Sequence, residues 1–273
     1  MEKVSRQLVV NADDFGYSRD VNRGIIEAHT KGILTATTLM GNGSAFDDAV
    51  ALAKSHPALD IGCHLVLVEG PSLATGQPLP RSVRELTMAV LFRRLNPYLE
   101  LRPQVERIVN QGLRPTHLDT HKHTHLLPAV LDAVAKLSEE FDIRWVRRPF
   151  DFPLSATGTP LPLRATSTAF SMMRLQFHAK LARHGCRTTD HFAGFQLTGR
   201  FRTGQLTQLI RALPPGSTEF MCHPGFCTSE LRGMSTRLTE QREMELEALI
   251  DPAIRDVLIA ERVQLVTYRD LNL

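Results

Sequence analysis

The sequence predicts an α/β protein built as a distorted or incomplete (β/α) barrel. Short β-type runs alternate with amphipathic helical runs along the chain, some of the β-type runs are apolar on both faces, and four of them end in Asp or His. Such alternation implies parallel βαβ units. Two-sided apolar strands belong to parallel sheets covered on both faces. Catalytic groups of barrels collect at the C-terminal ends of the strands. The 273 residues suit one barrel, which commonly runs near 250, so the expectation is one barrel-like unit over 1–273.

The elements follow in order. QLVVNADDF (7–15) reads as a strand ending in a polar turn. Val21, Ile25, Ile26 and His29 then fall on one helical face, with Gly32 placed as the stop. TATTLM (35–40) is a second strand, 46–54 a helix, and DIGCHLVLV (60–68) a third strand. Residues 69–81, rich in proline and glycine, form a loop. The 82–111 insertion is helical with an interruption at Asn96-Pro97. THLD (116–119) is a short strand, 128–141 a helix, and IRWVR (143–147) a strand. A second insertion, the proline-rich 149–163, reads as irregular loop. Helices at about 165–185 and 203–213, a strand at 218–222, helical sequence over 236–260 and a closing strand at 263–268 complete the pattern. That counts seven strands, one short of an eight-fold barrel.

Composition removes several classes. A net charge of +3 is too mild to argue for nucleic acid, and no nucleic-acid motif appears. Neither a G-x-G-x-x-G nor a G-x-x-x-x-G-K-[ST] fingerprint is present, against a nucleotide-binding sheet. No apolar run approaches the ~18–20 residues of a membrane span, and the N-terminus reaches charge before any signal-peptide core. The expectation is a soluble cytoplasmic protein. Four cysteines, at 63, 186, 222 and 227, form no C-x-x-C pair and read as small buried apolar residues rather than disulfides.

Four constellations carry chemistry. The first is Asn11-Ala12-Asp13-Asp14-Phe15-Gly16. Adjacent carboxylates at a strand end are costly to bury unless a metal or hydrogen bonds compensate them. Successive strand residues face opposite sides, so both reach one site only where the chain turns. Alone, such a pair is more often a solvated turn. The second is His64, within an apolar strand, where a satisfied core histidine is the commoner explanation. The third is the strongest: four of the eleven histidines, 117, 121, 123 and 125, lie within nine residues directly after a strand. If the chain turns helical here, His121 and His125 share a face, and imidazoles with a carboxylate make a usual set for Zn²⁺ and related ions. The fourth is Met221-Cys222-His223-Pro224-Gly225, whose histidine fits a proton donor or a supporting group. Four strand ends converging on one mouth indicate a metal-dependent hydrolase.

The strings VNADDFGYSRDVNRGIIEAHTKGILTATTLM, GCHLVLVEG, PTHLDTHKHTHLLP and MCHPGF resemble the YdjC-like carbohydrate deacetylases, which include chitooligosaccharide deacetylases and a hopanoid-biosynthesis-associated branch. The resemblance spans residues 8–225 and is weak over about 149–215. It implies a barrel of the NodB-like glycoside hydrolase/deacetylase type and one divalent metal ion; two histidines and a carboxylate as ligands then favour Zn over Mg, Mn, Co or Fe. It also implies removal of the N-acetyl group from an N-acetylglucosamine-containing carbohydrate, with release of acetate. By motif position it implies Asp14, His64 and His121 as metal ligands. His125, His123 and Asp119 would lie near the substrate or behind the ligands.

The chemistry expected is a general base at Asp13, with a pKa lowered by the nearby cation, and a proton donor to the leaving amine at His223. The substrate stays open between a soluble chitooligosaccharide and a lipid-linked amino sugar such as a hopanoid glycoside. The apolar, arginine-flanked 86–99 stretch reads as a helix packed on the barrel, or else as a lid or peripheral membrane contact. Two other readings compete: a metal-dependent amidohydrolase acting on a small non-sugar acyl substrate, and a non-catalytic metal- or sugar-binding protein.

Overall fold

The computed structural model describes residues 5–152 and 161–272. Strand β1 (Arg6–Phe15) is buried from Leu8 onward, as its unbroken apolar start requires. Helix α1 (Arg19–Lys31) follows, capped by the Ser18 hydroxyl, which accepts from the Val21 amide. Then come β2 (Ala36–Leu39), α2 (Phe46–Ser55) and β3 (Asp60–Leu65). The 82–111 insertion is two helices, α3 (Val83–Leu91) and α4 (Pro97–Val109), divided where expected: Asn96 caps the second and Pro97 opens it.

Next are β4 (His117–Thr120), α5 (Pro128–Glu140) and β5 (Trp145–Val146). The predicted 165–185 helix is two, α6 (Leu161–Met172) and α7 (Arg174–Arg183), parted at Met173. An eighth strand, β6 (His191–Ala193), was not anticipated; three residues are too few to show a period. The chain continues through α8 (Thr203–Ala212), β7 (Gly216–Cys222) and the single turn α9 (Ser229–Arg232). It closes with α10 (Glu240–Ile250), α11 (Pro252–Ala260) and β8 (Val263–Leu265), the last two helices split at Asp251-Pro252. Most of the 149–163 insertion, residues 153–160, lies outside the described residues.

All strand pairings within the sheet are parallel, in the order β5-β4-β3-β2-β1-β7-β6. β8 pairs with Arg6–Leu8 of β1, below the point where β2 takes over at Asn11. The two ends of the sheet are linked by isolated parallel bridges, Trp145 to Arg187 and Asp151 to Phe192. The result is a distorted barrel whose edges meet through short contacts rather than a full strand pair. All four cysteines are free, three of them buried. Among the described residues no helix is long and apolar enough to cross a membrane.

α1 fixes the segment after β7. The Asp20 carboxylate accepts from the Thr228 amide and hydroxyl at 2.9 and 2.6 Å, and its carbonyl accepts from the Phe226 amide at 3.1 Å. Gly24 makes this approach possible: a Cβ there would stand 2.4 Å from the Gly225 Cα. Alanine ordinarily favours a helix over glycine by about 1 kcal/mol. Gly24→Ala is nevertheless expected to destabilise by about 1–3 kcal/mol through backbone overpacking, read as a lower melting temperature. An unchanged or higher one would contradict this contact.

Candidate metal centre

The end of β1 is built so that both carboxylates face inward. Pairing of β1 with β2 slips between Ala12 and Phe15, and Asp14 takes a left-handed conformation at φ 70°. That bulge breaks the strand's alternation. Gly16, at φ 92°, completes the turn, and its amide donates to Asn22 Oδ1 at 2.7 Å.

Three donors converge at this point. Asp14 Oδ1 lies 3.4 Å from His64 Nε2 and 3.3 Å from His121 Nδ1, and the two imidazole nitrogens are 3.2 Å apart. Asp14 and His64 are buried, while His121 opens partly to the mouth. Asp14 Oδ1 is buried with no hydrogen-bond partner, although its other oxygen accepts from Arg242 at 2.6 Å. A buried carboxylate oxygen left without a donor costs free energy, and a cation between it and two imidazole lone pairs would remove that cost. The donor set therefore fits a divalent metal.

Each donor is held from behind. Asp119 Oδ1 lies 2.7 Å from His64 Nδ1, and Asp119 Oδ2 accepts from Thr38 Oγ1 and from Arg147. This carboxylate–histidine pairing fixes the tautomer that turns Nε2 toward the centre. On the far side of His121, Glu69 Oε2 lies 3.9 Å from Nε2, and Glu69 Oε1 meets Lys122 Nζ at 2.8 Å.

Asp13 stands beside the donors but points elsewhere. Arg147 donates to both of its oxygens, at 2.6 and 2.7 Å, and to Glu219 Oε1 at 2.7 Å. His223 Nε2 lies 3.9 Å from Asp13 Oδ2. The His223 amide donates to Glu245 Oε2 at 2.6 Å.

The two carboxylates differ in their electrostatics. Without a cation, burial raises the pKa of Asp13 to about 6, Arg147 opposing and Asp119 adding to the rise. Asp14, despite burial, is held well below the usual carboxylate range by Arg242 and the two histidines. Burial also opposes charge on His64, but Asp119, Asp13 and Asp14 outweigh it and lift that group to about 10. Without a cation, the carboxylates thus draw a proton onto a donor imidazole. Burial lowers His223 to about 3, with Arg242 and Arg147 helping, so its resting imidazole is neutral.

Three histidines of the cluster do not join the donors. No helical turn brings His121 and His125 to one face: Lys122 and His123 have φ of 56° and 52°, which reverses the chain between them. His125 is fully buried, its Nδ1 2.6 Å from Thr120 Oγ1 and its Nε2 3.1 Å from the Arg147 carbonyl. It braces the backbone of Arg147. The His123 ring packs near Phe192 and Phe195, 6.0 and 5.9 Å between centroids. His117 stacks on Tyr268 at 4.0 Å and meets Asn11 Oδ1 at 3.1 Å.

Sequence reasoning missed Arg147, Glu219, Arg242 and Glu245. The first two had a signal: a charged residue inside a short apolar strand is buried and must be paired. Arg242 and Glu245 lie in a charge-rich helix that reads as a solvated face.

Fold and site together define a parallel α/β barrel with a buried carboxylate–imidazole donor set at its mouth. The chain belongs to the YdjC-like family, whose model matches residues 7–260. It is 34% identical to a carbohydrate deacetylase of Brevibacillus brevis over 97% of this chain and all of the relative. A carbohydrate deacetylase of Geobacillus stearothermophilus is 35% identical over 97% of this chain and 98% of its own length. A chitooligosaccharide deacetylase of Serratia marcescens is 31% identical over 99% of this chain and 100% of its own. The fold matches that of an Enterococcus faecalis V583 protein with a TM-score of 0.76 at 23% identity, covering 98% of this chain and 99% of that one.

Arg147 is the cation among three buried carboxylates. Arg147→Met is expected to cost at least about 3–5 kcal/mol of folding free energy, the range for breaking a buried ion pair. Chemical denaturation measures it, and a loss below about 1 kcal/mol would show that the cluster is not held by this charge.

Proposed function

We propose that this protein is a metal-dependent carbohydrate N-deacetylase that removes the acetyl group from an N-acetylglucosamine-containing sugar and releases acetate. One observation carries the reading: the unpartnered Asp14 Oδ1 faces two imidazole nitrogens, with a second, separately held carboxylate alongside. A site for binding alone has no need of that second carboxylate. The deacetylase names of the relatives, matched along nearly their whole length, support the same reaction class.

Asp14, His64 and His121 would hold the cation. Two imidazoles and one carboxylate favour Zn²⁺, with Mn²⁺, Co²⁺, Fe²⁺ or Mg²⁺ as alternatives. Bound there, it supplies a Lewis acid that polarises the acetamide carbonyl.

The remaining steps belong to the protein. Asp13 removes a proton from the attacking water. Arg147 grips both Asp13 oxygens, so the carboxylate keeps its orientation and does not swing in as a further ligand. His223, neutral at rest and 3.9 Å from Asp13, takes up the proton that Asp13 removed from water and delivers it to the departing amine, which returns Asp13 to its carboxylate form. Its backbone is fixed by Glu245, so the ring has one place to stand. The substrate is a soluble chitooligosaccharide or a lipid-linked amino sugar such as a hopanoid glycoside; both present the same acetamide.

The test compares two isosteric variants after metal removal and reconstitution. Asp14→Asn is expected to lose the metal. Asp13→Asn is expected to keep one equivalent while acetate release from N-acetylglucosamine oligomers falls by at least about 10²–10⁴-fold, the contribution of a general base. Equal metal loss in both variants would overturn the division of roles. Metallated wild type that releases acetate from simple acylamides but from no acetylated sugar would overturn the substrate class.

A further inference from the structure

α3 is a helix with two apolar faces and support for only one. Of its nine residues only Leu86 is buried, with Val90 packed partly against the core. On the other side of the helix Met88, Leu91 and the C-cap Phe92 stand at i, i+3 and i+4, a single stripe. They are 46%, 69% and 57% exposed. Scattered apolar residues on a surface need no explanation, but a contiguous patch marks an interaction site.

The rim of this patch has one sign of charge. Arg81, Arg84, Arg93 and Arg94 are all exposed, and Glu85 is the only acidic residue between 81 and 99. Glu85 is already engaged, accepting from the Arg81 amide at 2.8 Å. Among the described residues, ion pairs hold Arg102 and Arg107 of the next helix, but none holds these four arginines. The Arg94 guanidinium lies 5.5 Å from the Phe92 ring centre, so charge and apolar surface are interleaved. α3 also follows the segment that leads out of β3 and carries Glu69 to Lys122 and His121, on the side of the barrel where the donors lie.

We propose that α3 docks on an anionic lipid bilayer surface. Met88, Leu91 and Phe92 enter the boundary between headgroups and acyl chains, and the four arginines lie against anionic headgroups. Short amphipathic helices with a basic rim bind in this way, and each arginine near an anionic leaflet adds to the affinity. A second copy of the chain fits worse, because a two-fold contact would set the arginine rims against each other. A nucleic acid has no use for the apolar stripe. The inference stands apart from the proposed reaction and is tested without it.

Co-sedimentation with phosphatidylcholine vesicles, with and without phosphatidylglycerol, decides the matter. Wild-type protein is expected to sediment with the anionic vesicles only, and less so as salt rises. The double variant Leu91→Asp/Phe92→Asp and the triple variant Arg84→Glu/Arg93→Glu/Arg94→Glu should each lose about tenfold or more in binding, given two large side chains withheld from burial or three charges reversed. Since all five positions are exposed, the melting temperature should not change. Absence of wild-type binding to anionic vesicles, or full binding by either variant, would overturn the proposal. So would a dimer on gel filtration that Leu91→Asp abolishes, since the patch would then be covered by a second copy.

Discussion

The structure turns on one buried guanidinium. Arg147 reaches from the end of β5 into the barrel and donates to Asp13, Asp119 and Glu219, which stand on β1, β4 and β7. Without it, three carboxylates in a low-dielectric interior would repel one another and each would carry its own desolvation cost. With it, three strands on both sides of β1 are tied to a common point. The planar fork matters as much as the charge, because Asp13 is gripped through both oxygens, a geometry a lysine ammonium does not reproduce. His125 holds the Arg147 carbonyl from below, so even the most isolated histidine of the cluster serves this hub.

From that hub the donors inherit their order. Arg147 fixes Asp119, Asp119 fixes the ring of His64, and His64 Nε2 faces Asp14. Arg242 performs the matching task from α10, occupying Asp14 Oδ2 and leaving Oδ1 for the centre. The two arginines therefore separate adjacent carboxylates into different environments. One is gripped at both oxygens and pushed up to about 6 by burial; the other is held low and offers a single free oxygen. Environments that push neighbouring groups apart in this way are how acid–base and ligand roles are divided in active sites.

The legible part of this arrangement was the part with a period or a composition. Parallel alternation gave seven of the eight strands and both breaks in the 82–111 and 236–260 helical regions were marked by proline, although only the first was anticipated. Histidine density marked the end of β4, and the Asp-Asp pair marked the end of β1. What stayed hidden had no local signature. β6 is three residues long. The reversal at Lys122 and His123 cannot be read from residues that are neither Gly nor Asn, so the sequence could state a shared face for His121 and His125 only on condition of a helical turn, a condition these two residues do not meet. Arg242 and Glu245 became site residues only because α10 folds back against the loop after β7, a contact more than two hundred residues from Asp14 along the chain.

Backbone conformation gathers at the same mouth. Among the described residues seven non-glycine positions have positive φ, and four of them, Asp14, Glu69, Lys122 and His123, lie at or beside the donors. Each such residue costs on the order of 1–3 kcal/mol and persists only where its surroundings over-determine it. The surroundings here do so: Asp14 is pinned by Arg242, Glu69 and Lys122 pair with each other, and His123 is wedged beside Phe192 and Phe195. A mouth assembled from left-handed turns and buried ion pairs holds its side chains in place through the protein's own contacts. Among the described residues Asp14 Oδ1 shares its lack of a hydrogen-bond partner with Glu219 Oε2, His223 Nδ1 and Arg242 Nη1, but it is the one that faces two imidazole nitrogens, and a divalent cation is the partner whose charge and ligand preference would meet it there.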